Sequence, residues 1–283
     1  MVHNSTMAST PKAQALGVAL RRAREDRGLT TRELADRVRR NHGEISRWET
    51  GDRAPKPEHV AQVLTVLGIV GKPYDEIMSL VHDPAAPMWV ATSLPAQKQQ
   101  LAAYLEMERQ AVVVNEVSPM LVPGMLQTRE YAHAIMSGGG LSPDEAMRRC
   151  DIRMARRAAL TRPDPIHFNA FIGELALYQT IGDRSIVADQ FRFLLEMARR
   201  PNVTVRITLA DSGWYPALEG AFVFLVPANL RPIVQIELRT TSMFLHEEDA
   251  VADYGRALDM IDRMALAPEA STQLITARME KLC

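Results

Sequence analysis

The sequence predicts an all-α head of five short helices, followed by an α+β region with a small sheet. Two observations predict it. Before residue 82, apolar residues recur at three- and four-residue spacing in five stretches separated by Gly, Pro, Asn or Thr, the pattern of short amphipathic helices. Beyond residue 110, stretches of that kind interleave with short apolar runs that read as strands. The chain has 283 residues, which at roughly 150 residues per domain is about two domains. Hydrophobic residues make up 47% and charged residues 24%, so a disordered, collagen-like or disulfide-scaffold chain is excluded.

The first predicted helix runs from Gln14 to Asp26, with Leu16, Ala19, Leu20 and Ala23 on one face and Gly28 at its end. Thr30, with Glu33 three residues on, has capping-box spacing for a second helix, Arg32 to Arg39. Asn41 and Glu44 repeat that spacing before a third helix, which ends near Thr50 and Gly51. Residues 53–57 are a Pro-containing loop. A fourth helix, Glu58 to Leu67, places Val60, Val63, Leu64 and Leu67 inward, and a fifth spans Tyr74 to Val81. Asp83 to Pro87 reads as a linker, so the expected division is a head at 12–82 and a second domain at 88–283.

In the second region, Gln97 to Gln110 reads as helix and Ala111 to Val117 as extended. A helix at Thr128 to Met136 precedes Gly138-Gly139-Gly140, which reads as a flexible turn or hinge. A basic helix runs from Ser142 to about Thr161, then a strand at Ile166 to Ile172 and a helix at Asp183 to Arg199. Three strands are expected at 203–209, 221–226 and 233–238, then helices at 247–264 and 268–281.

Charge is unevenly spread. Residues 1–56 hold 12 Lys and Arg against 7 Asp and Glu, whereas the remainder holds 21 against 27. A basic head on an acidic body points to a polyanionic partner for the head, or to no more than a solvated basic helix face. No apolar run reaches the 18 or so residues that a membrane helix needs, and the first residues lack the basic and apolar regions of a secretory signal. The two cysteines, Cys150 and Cys283, fit a reduced compartment. A cytoplasmic protein without membrane contact is therefore expected.

The two helices around residue 40, joined by a tight connection, describe a helix-turn-helix. Leu29-Thr30-Thr31-Arg32-Glu33-Leu34-Ala35, followed by Ile45-Ser46-Arg47-Trp48-Glu49-Thr50-Gly51, resembles the Cro and phage-repressor (XRE) family of DNA-binding domains over about residues 14–81. The family commonly has glycine in the turn, where this chain has Arg39-Arg40-Asn41, and Asn is the residue there that best tolerates left-handed backbone angles.

The resemblance implies that the second helix of the pair enters the major groove of double-stranded DNA, with His42, Gly43, Glu44 and Arg47 at base-facing positions. Arg47 suits bidentate readout of guanine. His42 would donate to a base or a phosphate. Glu44 would either accept from cytosine or cap its helix, and Gly43 would permit close backbone approach or contribute nothing. Thr31, Arg32, Arg53 and Lys56 would grip phosphate, positioning the domain without reading sequence. Arg24 and Glu49 match the family's internal salt bridge, and Ile45 and Trp48 read as core. Because one head reads few bases, a homodimer on paired half-sites is expected.

Leu121-Val122-Pro123-Gly124-Met125-Leu126-Gln127-Thr128-Arg129-Glu130-Tyr131-Ala132 is similar to the signature of WhiJ-like actinobacterial regulators, which join an XRE head to an antitoxin-like C-terminal domain. Gly173-Glu174-Leu175-Ala176-Leu177, Arg200-Pro201-Asn202-Val203-Thr204 and Gly220-Ala221-Phe222 extend the match over about residues 89–280. The resemblance implies a transcription regulator, more often a repressor, encoded beside a small protein that it binds. It implies no cofactor and no catalytic residues.

The residues agree. The seven histidines are dispersed, His246-Glu247-Glu248 lacks the second histidine of a metalloprotease motif, and the triple glycine lacks the Lys-Ser/Thr of a P-loop. Glu174 reads as a satisfied helix-start carboxylate rather than a catalytic acid. No enzymatic activity, metal or cofactor is expected. The alternative function is a one-component regulator whose second domain senses a small molecule. Trp214 and Tyr215, with Phe222 and Phe224, are the candidates for lining a ligand pocket, unless they are packed loop and sheet core.

Overall fold

Thr10 opens the first helix: its side chain accepts from the Ala13 N–H at 3.2 Å, and Pro11 occupies the first turn, where a missing N–H costs nothing. In the computed structural model, residues 10–81, 88–91, 93–228, 231–239 and 241–282 are described. The expected linker, 83–87, lies outside them. The chain divides into two compact units, Met1–Gln110 with Pro227–Val251, and Ala111–Val226 with Ala252–Cys283. The first unit thus takes in residues 88–110 and a later segment as well as the helical head.

The head is α1 (Pro11–Glu25), α2 (Thr31–Arg37), α3 (His42–Glu49), α4 (Pro57–Val66) and α5 (Lys72–Met78). Leu16, Leu20, Leu34, Val38, Ile45, Trp48, Val60, Val63 and Leu64 form its core, and Trp48 stacks on His59 at 5.4 Å. α1 and α3 cross closely at Gly17, where a Cβ would come within 2.6 Å of the Trp48 carbonyl oxygen. Across the same contact, Arg24 donates Nε and Nη2 to the Glu49 carboxylate at 2.7 and 2.8 Å, and its Nη1 to the Leu29 carbonyl at 2.7 Å. The pair is buried, as the sequence led us to expect for Arg24 and Glu49. The carboxylate raises the Arg24 pKa further, so the guanidinium keeps its charge in the core.

Also in the first unit are α6 (Leu94–Gln110), which packs on α1, and three short antiparallel strands in the order β1-β7-β6. These are β1 (Met88–Val90), β6 (Ile233–Glu237) and β7 (Ser242–Leu245). β1 and β7 were not expected from the sequence. Trp89, Tyr104 and Phe244 pack together behind them, and Gln100 donates to the Trp89 and Ser242 carbonyls at 2.9 Å each.

The second unit holds β2 (Ala111–Ser118), β3 (His167–Gly173), β4 (Val203–Thr208) and β5 (Phe222–Pro227), in the order β5-β2-β3-β4. β2, β3 and β4 are parallel. The helices are α7 (Arg129–Gly138), α8 (Pro143–Arg156), α9 (Ala158–Thr161), α10 (Arg184–Met197), the larger part of α11 (Glu248–Met264), and α12 (Pro268–Glu280). The fold class is as expected, helical and then α+β. Two details differ. The basic helix is broken at Arg157 into α8 and α9. The triple glycine is no open hinge: Gly138 ends α7, and Gly140 takes φ +85° as the Gly140 and Leu141 N–H groups close on the Ser137 and Met136 carbonyls.

Candidate nucleic-acid interface

Two short helices carry the face, and their ends are fixed by local chemistry. At the start of α2 the predicted capping box forms: Thr30 accepts from the Glu33 N–H at 3.2 Å, and Glu33 accepts from the Thr30 N–H at 2.7 Å. These bonds hold the Glu33 carboxyl below the usual carboxylate range. Thr31 and Arg32 follow in the first turn, Thr31 half-buried and Arg32 exposed.

The turn departs from expectation. Arg39, not Asn41, takes the left-handed conformation, with φ +53°. The Arg39 N–H bonds the Asp36 carbonyl at 3.2 Å and the Arg40 N–H bonds the Ala35 carbonyl at 2.9 Å, a Schellman end with arginine where glycine is usual. α4 braces the turn, Gln62 donating to the Val38 carbonyl at 3.0 Å. Asn41 is extended and caps α3, but its side chain accepts from the Gly43 N–H at 2.8 Å, not from Glu44. No reciprocal bond from Glu44 completes a capping box. The Glu44 carboxylate lies 3.8 Å from Arg40, so its acceptor capacity is shared with a cation that sequence reasoning left out.

α3 is anchored by one side and open on the other. Ile45, Trp48 and Glu49 point inward, while His42 and Arg47 are exposed and Gly43 and Glu44 are half-buried. Gly43 and Arg47 are one turn apart. A Cβ on Gly43 would lie 3.7 Å from an Arg47 guanidinium nitrogen and 3.3 Å from Asn41 Oδ1, so the bare glycine leaves room for Arg47 to lie back along the helix. After α3, the Arg53 N–H closes on the Arg47 carbonyl at 3.2 Å, which fixes the loop carrying exposed Arg53 and Lys56.

The structure thus brings His42, Gly43, Glu44 and Arg47 together on the first turns of α3, with Thr31 and Arg32 opening α2 and Arg53 and Lys56 in the loop after α3. Among the described residues, no carboxylate forms an ion pair with Arg32, Arg39, Arg47, Arg53 or Lys56. An exposed cluster of unneutralised cations on short, rigid helices can hold a polyanionic backbone.

The two ligand candidates separate. Trp214 is 64% exposed, whereas Tyr215 is buried and its hydroxyl lies 2.9 Å from the Thr208 hydroxyl. Phe222 and Phe224 are sheet core, Phe222 meeting Tyr254 edge-on at 4.9 Å. Glu174 opens a short 3-10 helix, Glu174–Tyr178, and its carboxylate accepts from the Ala210 N–H at 3.0 Å, so it is a satisfied helix-start carboxylate as expected. The Leu121 to Ala132 segment is structural: Val122, Met125, Leu126, Tyr131 and Ala132 are buried, and Gln190 donates to the Leu126 carbonyl at 2.7 Å. Burial lifts the Tyr131 hydroxyl to about 12, so it stays protonated. Among the described residues, no group of three His, Cys, Asp or Glu could hold a metal ion, and no helix is long and apolar enough to cross a membrane.

The family described as Domain of unknown function (DUF5753) matches residues 101–277, and the family described as Helix-turn-helix domain matches residues 15–76. No curated protein and no solved structure matched the chain. A helix-turn-helix domain points to a DNA-binding regulator.

Proposed function

The chain belongs to the family of the Domain of unknown function (DUF5753), and from that membership and the geometry of its head we propose that it is a dimeric, sequence-specific transcription regulator of XRE type. The outer face of α3 carries the reading, because His42 and Arg47 are exposed on it and form no ion pair among the described residues. Its core side is locked by the Arg24–Glu49 pair, so the helix is held while Arg47 and His42 stay free to meet base edges. Thr31, Arg32, Arg53 and Lys56 flank that helix as phosphate contacts. Two heads on paired half-sites would supply the specificity that one lacks. Repression by promoter occlusion and a cytoplasmic location complete the reading, with no catalytic role.

The second unit is proposed to dimerise and to bind a small, adjacently encoded protein, in the antitoxin-like manner of WhiJ-like regulators. Exposed apolar side chains support this. Met120, Leu175, Tyr178, Trp214 and Leu218 stand 46–64% exposed in the loops after β2, β3 and β4, a concentration suited to a protein contact.

The test is a mobility-shift titration with the DNA upstream of the protein's own gene, with and without the neighbouring gene product. A specific shift that the neighbour abolishes or supershifts is expected. No shift on any promoter fragment at low salt would refute DNA regulation, and a specific shift indifferent to the neighbour would refute the partner. Arg47→Ala should weaken cognate binding by about 1–3 kcal/mol and relax preference at one base step. Lys56→Ala should weaken cognate and scrambled DNA alike and lower the salt slope by about one. Wild-type discrimination in the first variant, or an unchanged slope in the second, removes that residue from its role.

A further inference from the structure

Parallel strands covered on both faces normally read as apolar runs. One face of β2-β3-β4 obeys this: Val114, Phe168 and Val203 are buried, and Val114 and Phe168 are register partners. The other face does not. Asn115, Asn169 and Thr204 align in register across the three strands, with Phe171 and Arg206 two residues further along. These five side chains, with Leu258, Asp259, Asp262 and Pro268, line a cavity of about 330 Å³.

The polar row is incompletely satisfied. Asn169 Nδ2 donates to Asn115 Oδ1 at 2.8 Å. That bond uses one amino group and one carbonyl, and whichever way the two amides are turned it leaves one of each. Among the described residues no protein group meets the remaining pair, although Asn115 is only 8% exposed. The Thr204 hydroxyl has no side-chain partner either. Strand spacing sets these groups about 4.8 Å apart, a row of donor and acceptors along the cavity floor.

Charge narrows what fits. Arg206 is spent within the protein: Nε donates to the Leu266 carbonyl at 2.9 Å, Nη2 to the Ala265 carbonyl at 2.6 Å, and Nη1 to Asp262 at 2.5 Å. Asp259 has no cationic partner among the described residues. One cation and two carboxylates leave the lining net negative, which disfavours phosphates and carboxylates and favours an ammonium. Phe171 is buried, with the Arg206 guanidinium 6.0 Å from its ring centre, and closes the apolar side of the lining.

We propose that this cavity binds a small hydroxyl-bearing amine of the amino-sugar class. Its hydroxyls meet the Asn115–Asn169–Thr204 row, and its ammonium meets Asp259. The site is separate from the Trp214–Tyr215 region and does not depend on DNA binding.

The test is isothermal titration of the full chain, without DNA, using glucosamine, glucose and glucose 6-phosphate as probes. Glucosamine should bind saturably in the millimolar range, as so small a ligand allows. Glucose should bind about tenfold more weakly and glucose 6-phosphate more weakly still. Asp259→Asn, at an exposed position that folding does not need, should bring glucosamine down to the level of glucose and leave glucose unchanged. Asn169→Ala should weaken both. Absence of saturable glucosamine binding, equal affinity for glucose and glucosamine, preference for the phosphate, or indifference to both substitutions would overturn the proposal.

Discussion

Arg39→Gly should stabilise the head, although arginine is the native residue. Gly28 and Gly68 end α1 and α4 as Arg39 ends α2, each with a left-handed φ between 53° and 66° and the same pair of closing hydrogen bonds. At Arg39 the Cβ makes that conformation cost about 1–2 kcal/mol. Glycine removes the cost but adds about 0.4–1 kcal/mol of unfolded-chain entropy. The difference favours Arg39→Gly by roughly 0.5–1 kcal/mol. The Arg39 side chain is exposed and forms no ion pair among the described residues, so little contact is lost. Gly28→Ala is the mirror test. A Cβ there would meet nothing within 4 Å, so only the backbone is perturbed, and a loss of similar size is expected. With a urea dependence of about 1–3 kcal/mol per molar, the midpoints should separate in opposite directions by a few tenths molar each. Buried Trp48 reports the transition by fluorescence. Arg39→Gly that leaves the midpoint unchanged or lowers it, while Gly28→Ala lowers it, would refute the claim of strain in the turn.

Two further outcomes concern the head's core. Glu49→Ala should destabilise by about 3–5 kcal/mol, because it leaves the Arg24 guanidinium buried without its carboxylate; denaturant titration of the full chain checks this, and a loss below about 1 kcal/mol would mean the pair is solvated. Gly17→Ala should cost about 1–3 kcal/mol despite its better helix propensity, since the added methyl meets the Trp48 and Glu49 carbonyl oxygens at 2.6 and 2.8 Å. A stabilising Gly17→Ala would show that α1 and α3 can separate without loss.

Much of the head was legible because its signals are local. Thr30 and Glu33, the glycine at 28 and the three-to-four spacing of Leu16, Leu20 and Ala23 each act within a few residues. The Arg24–Glu49 pair, 25 residues apart, was legible only through family resemblance. What escaped was decided by tertiary context. β1 and β7 are strands of three and four residues, and their pairing partners fix them more than their own composition does. The turn was misassigned for a related reason: Asn41 tolerates left-handed angles best, but α3 needed it as its cap, which left the left-handed position to Arg39. Arg40 was passed over beside Glu44 because spacing alone does not say whether a carboxylate turns to the backbone or to the preceding cation.

The same division separates folding from reading in the head. The residues that fix α3 are Ile45, Trp48 and Glu49, held against α1, and none of them is exposed. The residues proposed to meet DNA are His42, Arg47, Arg53 and Lys56, and none forms a side-chain hydrogen bond or ion pair with the rest of the described chain. On the proposed function, a substitution at Arg47 should change which sequence is bound without changing how much protein is folded, and one at Glu49 should do the reverse. Gly43 joins the two sets. A side chain there would press on Asn41 Oδ1, which caps the helix, and would come into van der Waals contact with the guanidinium of Arg47, which would read the groove. Gly43→Ala should therefore alter Arg47-dependent discrimination at nearly unchanged stability, since the gain in helix propensity of about 1 kcal/mol offsets the strained cap. Unaltered discrimination in Gly43→Ala, measured on cognate and scrambled duplexes at one salt concentration, would show that Arg47 reaches DNA by a path that does not run over Gly43.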